Sequence, residues 1–588
     1  MKRIYHSLSV FLLIAGTSAN YAVAQKDTTK LNQSVEVVKA YRPTITNANK
    51  VNLMPVVDDT TRFIPEFKYS IDSQPVKSGF EALPIGAANV NKLPSDNLGL
   101  GYLKLGAGTY STPYGELFLN LPKSKIGTFG FHFRHLSSDD KIRLRSGDLV
   151  NAPYSQNNGA IFGSVNIGST ILSVDLTYKR DAMNYYGYPD VIPTNIASLP
   201  ITTFGLEQAY QSGDIKVTLK NNDLSQSALK FDGGFHLGFF DAKTGQKENS
   251  GGFFGKLDYN FGQVTGTLDF ALDHLSTDSI LFQNPISIGT LTEDWLRVKP
   301  SVRLDGDKWT LRGGINFVAV SDKSGENSTK IYPDIEFDFR PIEEVITLYA
   351  GFGGDLVNNS YGDIAMKNYW AEPFHNVRKS DYTYVVTGGL KGKISREISY
   401  NLGLKYSQIK DLYFFLLSSY DDPTSKSVPA SLVYRNAFDV IYADAGIFNL
   451  SIWFSYLLGK DLSIVLKGNY YNYNLESLPF APHKPNFDLT ASAGLKIIER
   501  LTGFVDLEVL GQRKAVVFHV DALSSAMPQT VAFQIDPSIK LNLGATYKLT
   551  NSFSLFGRVD NLLNRQNEQW LGYAGQGLRL MAGVTWSF

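Results

Sequence analysis

Side chains that could do chemistry are sparse in this chain and poorly spaced for it. Eight histidines and no cysteine rule out thiolate metal sites, cysteine nucleophiles, a disulfide framework and a lipidated cysteine. His132 and His135 come nearest to a ligand pair, in Phe131-His132-Phe133-Arg134-His135. On a strand, however, residues three apart point to opposite faces and cannot share a metal. His274, His375, His483 and His519 stand alone in sequence. Gly99-Leu100-Gly101 and Gly351-Phe352-Gly353-Gly354 lie in alternating segments and not ahead of helices, which suits close backbone packing and not phosphate binding. No Gly-x-Ser-x-Gly elbow is present. The reading is of a protein that is not an enzyme, with no catalytic residues, no cofactor and no metal site.

Charge narrows the classes further. Lys+Arg and Asp+Glu both number 56, so no net charge argues for a nucleic-acid partner or a polybasic membrane-surface site. The first residues read as a signal peptide spanning 1–24: Lys2 and Arg3 begin it, residues 8–15 are apolar, and Ala22-Val23-Ala24 offers a small-residue cleavage pattern. Elsewhere no run of about 18 apolar residues occurs, so no transmembrane helix is available. A membrane location then requires a closed barrel, because an open sheet leaves backbone groups unsatisfied in lipid.

From about residue 98 to the end the dominant period is two. Leu541, Leu543, Ala545, Tyr547 and Leu549 fall on one face, against Lys540, Asn542, Gly544, Thr546 and Lys548. One face meets something apolar and the other meets water or polar packing. Short connections (122–126, 168–169, 305–308, 458–461, 549–552) alternate with long polar ones (137–158, 183–203, 276–294, 358–380, 418–435, 512–529). Outer-membrane barrels alternate in the same way, with brief periplasmic turns and extended outer loops. The expected fold is therefore all-β: a transmembrane antiparallel barrel of about 22 strands over 98–588 with both termini periplasmic. Aromatics near strand ends, as in Tyr185-Tyr186-Gly187-Tyr188, Tyr413-Phe414-Phe415 and Tyr470-Tyr471-Asn472-Tyr473, are expected at the lipid headgroups. Residues 25–97 carry Pro43, Pro55, Pro65, Pro75, Pro84 and Pro94, which break helices and sheets alike. That segment is expected to be a lumen insert or a periplasmic arm and not a domain of its own.

The last strand puts Leu580, Ala582, Val584, Trp586 and Phe588 on one face and stops on an aromatic. It resembles the terminal strand of outer-membrane barrels, which the barrel-assembly machinery reads. Upstream, Gly557-Arg558-Val559-Asp560-Asn561-Leu562-Leu563-Asn564, followed by Trp570-Leu571-Gly572-Tyr573 and Gly575-Gln576-Gly577-Leu578-Arg579, resembles the closing strands of TonB-dependent receptors. Gln576-Gly577-Leu578-Arg579 departs from that family's usual Pro-Gly-Arg. Residues 35–45, opening with Val35, Glu36, Val37 and Val38, are similar to the start of receptor-like barrels of Bacteroidetes-type, Gram-negative bacteria. Val35 to Val38 is faintly similar to a TonB box, a stretch that would pair with a partner's strand edge, and reads more readily as an ordinary β-prone segment. About 73 residues lie between the expected cleavage site after Ala24 and the first barrel strand, too few for that family's plug domain. The resemblance implies solute uptake or permeation across the outer membrane. The alternative is a structural or scaffolding barrel of an envelope complex. Expected partners are outer-membrane lipid, the assembly machinery during insertion, and periplasmic or outer-membrane proteins.

Overall fold

The computed structural model describes residues 100–121, 127–187, 207–222, 227–281, 287–322, 327–372, 377–420, 437–520 and 529–588. The signal-peptide reading at 1–24, the 25–97 segment with Val35, Glu36, Val37 and Val38, and the expected short turn at 122–126 lie outside these residues.

Strands with one apolar and one polar face satisfy both when a closed sheet turns its apolar face outward to lipid and its polar face to a wet interior. Here 22 antiparallel strands do so as one closed barrel. Its first strand, Gly101–Gly108, pairs with its last, Arg579–Ser587, from Tyr102↔Ser587 to Gly108↔Met581. Closure removes the sheet edge, where backbone donors and acceptors would otherwise face hydrocarbon. The two faces are sharply distinguished along Arg579–Ser587: Val584 is 47% exposed on the outside while Thr585 is 0% exposed on the inside. Ser538–Lys548 repeats the pattern, with Asn542 and Thr546 buried inward and Tyr547 exposed outward. Charges gather on the inner face and pair across strands: Arg312 with Asp334 and Glu336 on the next strand, and Lys391 with Asp338 two strands away.

One end of the barrel carries tight turns, such as 168–169, 306–308, 343–345 and 459–461. Gly168 and Gly459 supply the left-handed backbone that two of these turns require. Exposed rings cluster near this turn end, where Phe553 stacks on Trp586 at 6.3 Å and Trp586 meets Phe588 at 4.9 Å. Such amphipathic belts suit a membrane boundary. The opposite end carries the long connections, although 109–111 and 243–246 are also tight.

Two expected connections are corrected. Residues 276–294 are mostly strand, since Val264–Leu281 and Ser287–Asp305 stay paired out to Leu281↔Ser287. Beyond the membrane those backbone groups bond each other in place of water. The second correction concerns 512–529, expected to be a polar connection between two wall strands and in fact flanked and partly filled by strand. The wall strands are Leu501–Leu510 and Ser538–Lys548, paired directly, while Arg513–Val520 and Gln529–Ile535 form a separate hairpin. The chain bends at Gly511, where a Cβ would lie 2.7 Å from both Asn486 Oδ1 and the Phe487 ring. The hairpin pairs in parallel with the end of Ile398–Tyr420, beginning at Leu417↔Val517.

Candidate functional site: a packed cap at the loop end

Strands Ile398–Tyr420 and Phe438–Leu458 have 23 and 21 residues, about twice the 9 to 11 that cross a bilayer. They therefore project past the membrane, and a bulge between Ile409 and Leu412 resets their faces, with Asp411 at φ 52°. Beyond the bulge Tyr413, Phe415 and Leu417 join one buried cluster with Tyr185, Ile364, Trp370, Phe438, Ala515, Ile535, Leu571 and Tyr573. These residues come from five separate connections and strand ends. Together they bridge the mouth. The expectation that Tyr185, Tyr413, Phe414 and Phe415 sit at the headgroups is thus overturned: Phe415 is only 2% exposed. Packing against other loops removes more ring surface from water than an interface would. Tyr470, by contrast, does face outward, while Tyr471 is buried.

The connection 358–379, expected to be a polar loop, is the keystone of this cap. Ser360 and Asp363 form a capping box that starts the helix Tyr361–Lys367. Although the helix leaves the wall between Ile346–Val357 and Ser380–Lys393, it docks on strands much further round the ring. Glu248, on Lys247–Asn260, accepts the amides of Tyr361 and Gly362 at 2.7 and 2.8 Å. Trp370, 7% exposed, stacks on Tyr573 at 4.0 Å and donates its Nε1–H to the Asn184 carbonyl at 2.9 Å. Its own carbonyl accepts the Phe438 amide at 2.9 Å. Gly187 admits the Tyr573 ring, because a Cβ there would lie 2.4 Å from it.

The motif that carries the family resemblance anchors the same loop end. Asn561 and Asn564 both adopt positive φ, a conformation asparagine tolerates. Asn561 Nδ2 donates to the Arg565 and Gln576 carbonyls, and Asn564 Oδ1 accepts the Leu578 amide. Arg579 is held by Asp560 and Tyr154. Next to this loop, buried Arg513 donates from Nη1 and Nη2 to the Gln569 and Glu568 carbonyls, tying the hairpin Arg513–Val520 and Gln529–Ile535 to the cap.

His483 sits at the meeting point of these pieces and is 5% exposed, at φ 59°. Its Nδ1–H donates to the Phe415 carbonyl at 3.1 Å, and its amide donates to the Lys514 carbonyl at 2.7 Å. Phe438 and Trp570 flank the ring at 5.3 and 5.1 Å. Its Nε2 meets no hydrogen-bond partner among the described residues. Burial, reinforced by Arg513, pushes the imidazole down to about 3, so the ring is neutral here.

The other residues singled out in sequence are dispersed. His132 faces the lumen, with Nε2 3.0 Å from Glu116, and His135 lies across the wall beside Asn157. Leu580, Ala582, Val584 and Trp586 line the lipid face of the closing strand, and Phe588 exchanges backbone hydrogen bonds with Gly101 at 3.0 and 3.1 Å. His375 lies outside the described residues. Among the described residues no three His, Asp or Glu stand close enough to hold a metal ion. Sequence reasoning missed the cap and His483. The available signals were two tryptophans, Trp370 and Trp570, in segments read as loops, and a histidine fixed between prolines in Pro482-His483-Lys484-Pro485.

No family model matches this sequence, and no curated protein does. Solved structures match its architecture. The pyoverdine outer membrane receptor FpvA from Pseudomonas aeruginosa PAO1 aligns at 13% identity and TM-score 0.59, covering 83% of this chain and 78% of that one. The FrpB iron transporter from Neisseria meningitidis aligns at 11% and 0.59, covering 83% and 81%. The copper transporter OprC aligns at 12% and 0.57, covering 83% and 80%. At such identities the likeness is one of fold, and it agrees with the barrel expected from the closing-strand motif.

Proposed function

We propose that this chain is a receptor-like outer-membrane barrel that takes up or passes a solute, with the cap as its outer gate. The carrying observation is a polar, charge-lined lumen beneath a mouth bridged by packed side chains from several loops. A gate needs such an element, able to reorganise while the hydrogen-bonded wall stays fixed. The fold neighbours support this reading, being a pyoverdine receptor, an iron transporter and a copper transporter. The turn end faces the periplasm together with both chain termini, and the cap faces outside. Residues 25–97 take the place of a plug, as a lumen insert or a docking arm for a periplasmic partner, with Val35 to Val38 as the strand that pairs. The match to Bacteroidetes-type barrels rests on residues 35–45, and the assembly machinery is assigned to the closing strand on its alternation. No catalytic role is assigned.

Deleting residues 26–90 behind the signal peptide tests the lumen assignment by single-channel conductance in planar bilayers. A large rise in conductance is the expected result for a lumen insert. Unchanged conductance with loss of co-purifying proteins supports the arm, and an excised 26–97 peptide that melts cooperatively would exclude both. The scaffolding alternative draws on the same bridged mouth, since a scaffold needs no passage. It is distinguished by native purification, where stoichiometric partners favour the scaffold and a lone barrel favours transport.

Orientation has its own test. An epitope at 145–148, an exposed turn beyond Lys141–Arg143, is expected to be reached on intact cells, and one at 459–461 is not. The reverse pattern would invert the topology. An epitope within 361–371 is expected to stay hidden, because Tyr361, Ile364, Ala365, Trp370 and Ala371 are buried.

A further inference from the structure

His483 joins four pieces of the cap: the strand Ile398–Tyr420 through the Phe415 carbonyl, Phe438–Leu458 through the Phe438 ring, Arg513–Val520 through the Lys514 carbonyl, and Glu568–Trp570 through the Trp570 ring. A residue held in left-handed backbone, buried, and bonded through only one ring nitrogen is unusual for a purely packing role. The charged groups around it are mostly cationic. Arg513 and Lys484 act directly on the ring, and Lys367 lies beyond Lys484 and over the Tyr413 ring. Lys514 directs its ammonium over the Phe480 ring. Of the four acids on the packed elements, Asp411 pairs with Arg378, Asp444 accepts the Asp411 amide, Asp439 accepts the Val440 amide and Glu568 acts on Arg513.

We propose that His483 is a proton-sensitive latch of the cap: neutral, it ties the four pieces together, and its protonation on acidification of the outside medium releases them. An imidazolium at this position would carry its charge into an aromatic enclosure between cations, with no carboxylate bonded to Nε2 among the described residues. The cap can shed that charge only by opening, which hydrates the ring. The inference rests on the reading of the cap as a gate.

The direction follows from linkage. Exposed, the imidazole titrates at 6.5, and in the closed cap at about 3. Between these values the open state binds more protons, so the stability of the closed cap is complete above pH 6.5 and falls as pH drops. At pH 5 the balance shifts towards opening by about thirty-fold relative to pH 8.

The chain contains no cysteine, so single thiols can report on the cap in the full-length protein in membranes. Ala515→Cys places one in the buried cluster, and Ser146→Cys places a reference on an exposed turn. The ratio of maleimide labelling rates at the two sites cancels the thiol's own pH dependence. The expected result is a rise in that ratio of about thirty-fold from pH 8 to pH 5, abolished by His483→Asn. Asparagine tolerates the left-handed backbone, keeps a donor for Phe415 and does not titrate. His483→Gln serves if that variant assembles poorly. A flat ratio with His483 present, or a rise that survives its replacement, overturns the latch. Labelling reads the cap alone, and bilayer conductance reads passage, so failure of the transport reading shows separately.

Discussion

Replacing Trp370 and Tyr573 together by alanine is expected to open the cap while leaving the barrel intact. Each buried aromatic removed from a packed core costs about 3 to 5 kcal/mol. The two rings stack at 4.0 Å, so their contributions are coupled and the double change costs less than the sum. Trp370 also ties the 358–379 connection to Asn184 and to Phe438. Its side-chain loss therefore frees the connection from the distant strand at Asn184, while the backbone bond to Phe438 remains. The wall itself is held by backbone ladders whose pairing does not depend on either side chain. Labelling of Ala515→Cys at pH 8 should rise at least ten-fold in the double variant, with heat-modifiable migration of the barrel retained. Unchanged labelling would mean that the cluster does not hold the mouth closed.

Deleting Trp586 to Phe588 is expected to lower the amount of heat-modifiable barrel in the outer membrane several-fold. The deletion removes the pairs Leu103↔Trp586 and Tyr102↔Ser587 and both hydrogen bonds between Gly101 and Phe588. It also removes Phe553↔Trp586 on the other side of the closing strand. The seam would then leave backbone groups unsatisfied where the wall meets lipid, at several kcal/mol for each group. The lipid-facing Trp586 and Phe588 rings leave the boundary belt with them. Immunoblots of unheated and heated membranes measure the effect. Assembly at the normal level would show that neither the seam nor the terminal aromatic is needed for insertion.

The amino-acid sequence by itself determined the wall. Whether Leu543 or Asn542 faces lipid depends on a period of two that each strand carries locally, and a closed barrel is the arrangement that satisfies both faces. Tight turns and longer connections were legible for the same reason, as interruptions of that period. The cap was decided by the tertiary structure. Trp370 finds Tyr573 and Asn184, and Phe415 finds His483, across long stretches of chain with no shared period to announce the contact. Aromatic clusters at strand ends suit a headgroup belt and a packed core equally well in one dimension. Strand length settled between them: Ile398–Tyr420 rises well past the membrane before its rings turn inward. His483 gains its character in the same way, because a lone histidine between prolines becomes a buried, half-satisfied junction only when four distant pieces close around it.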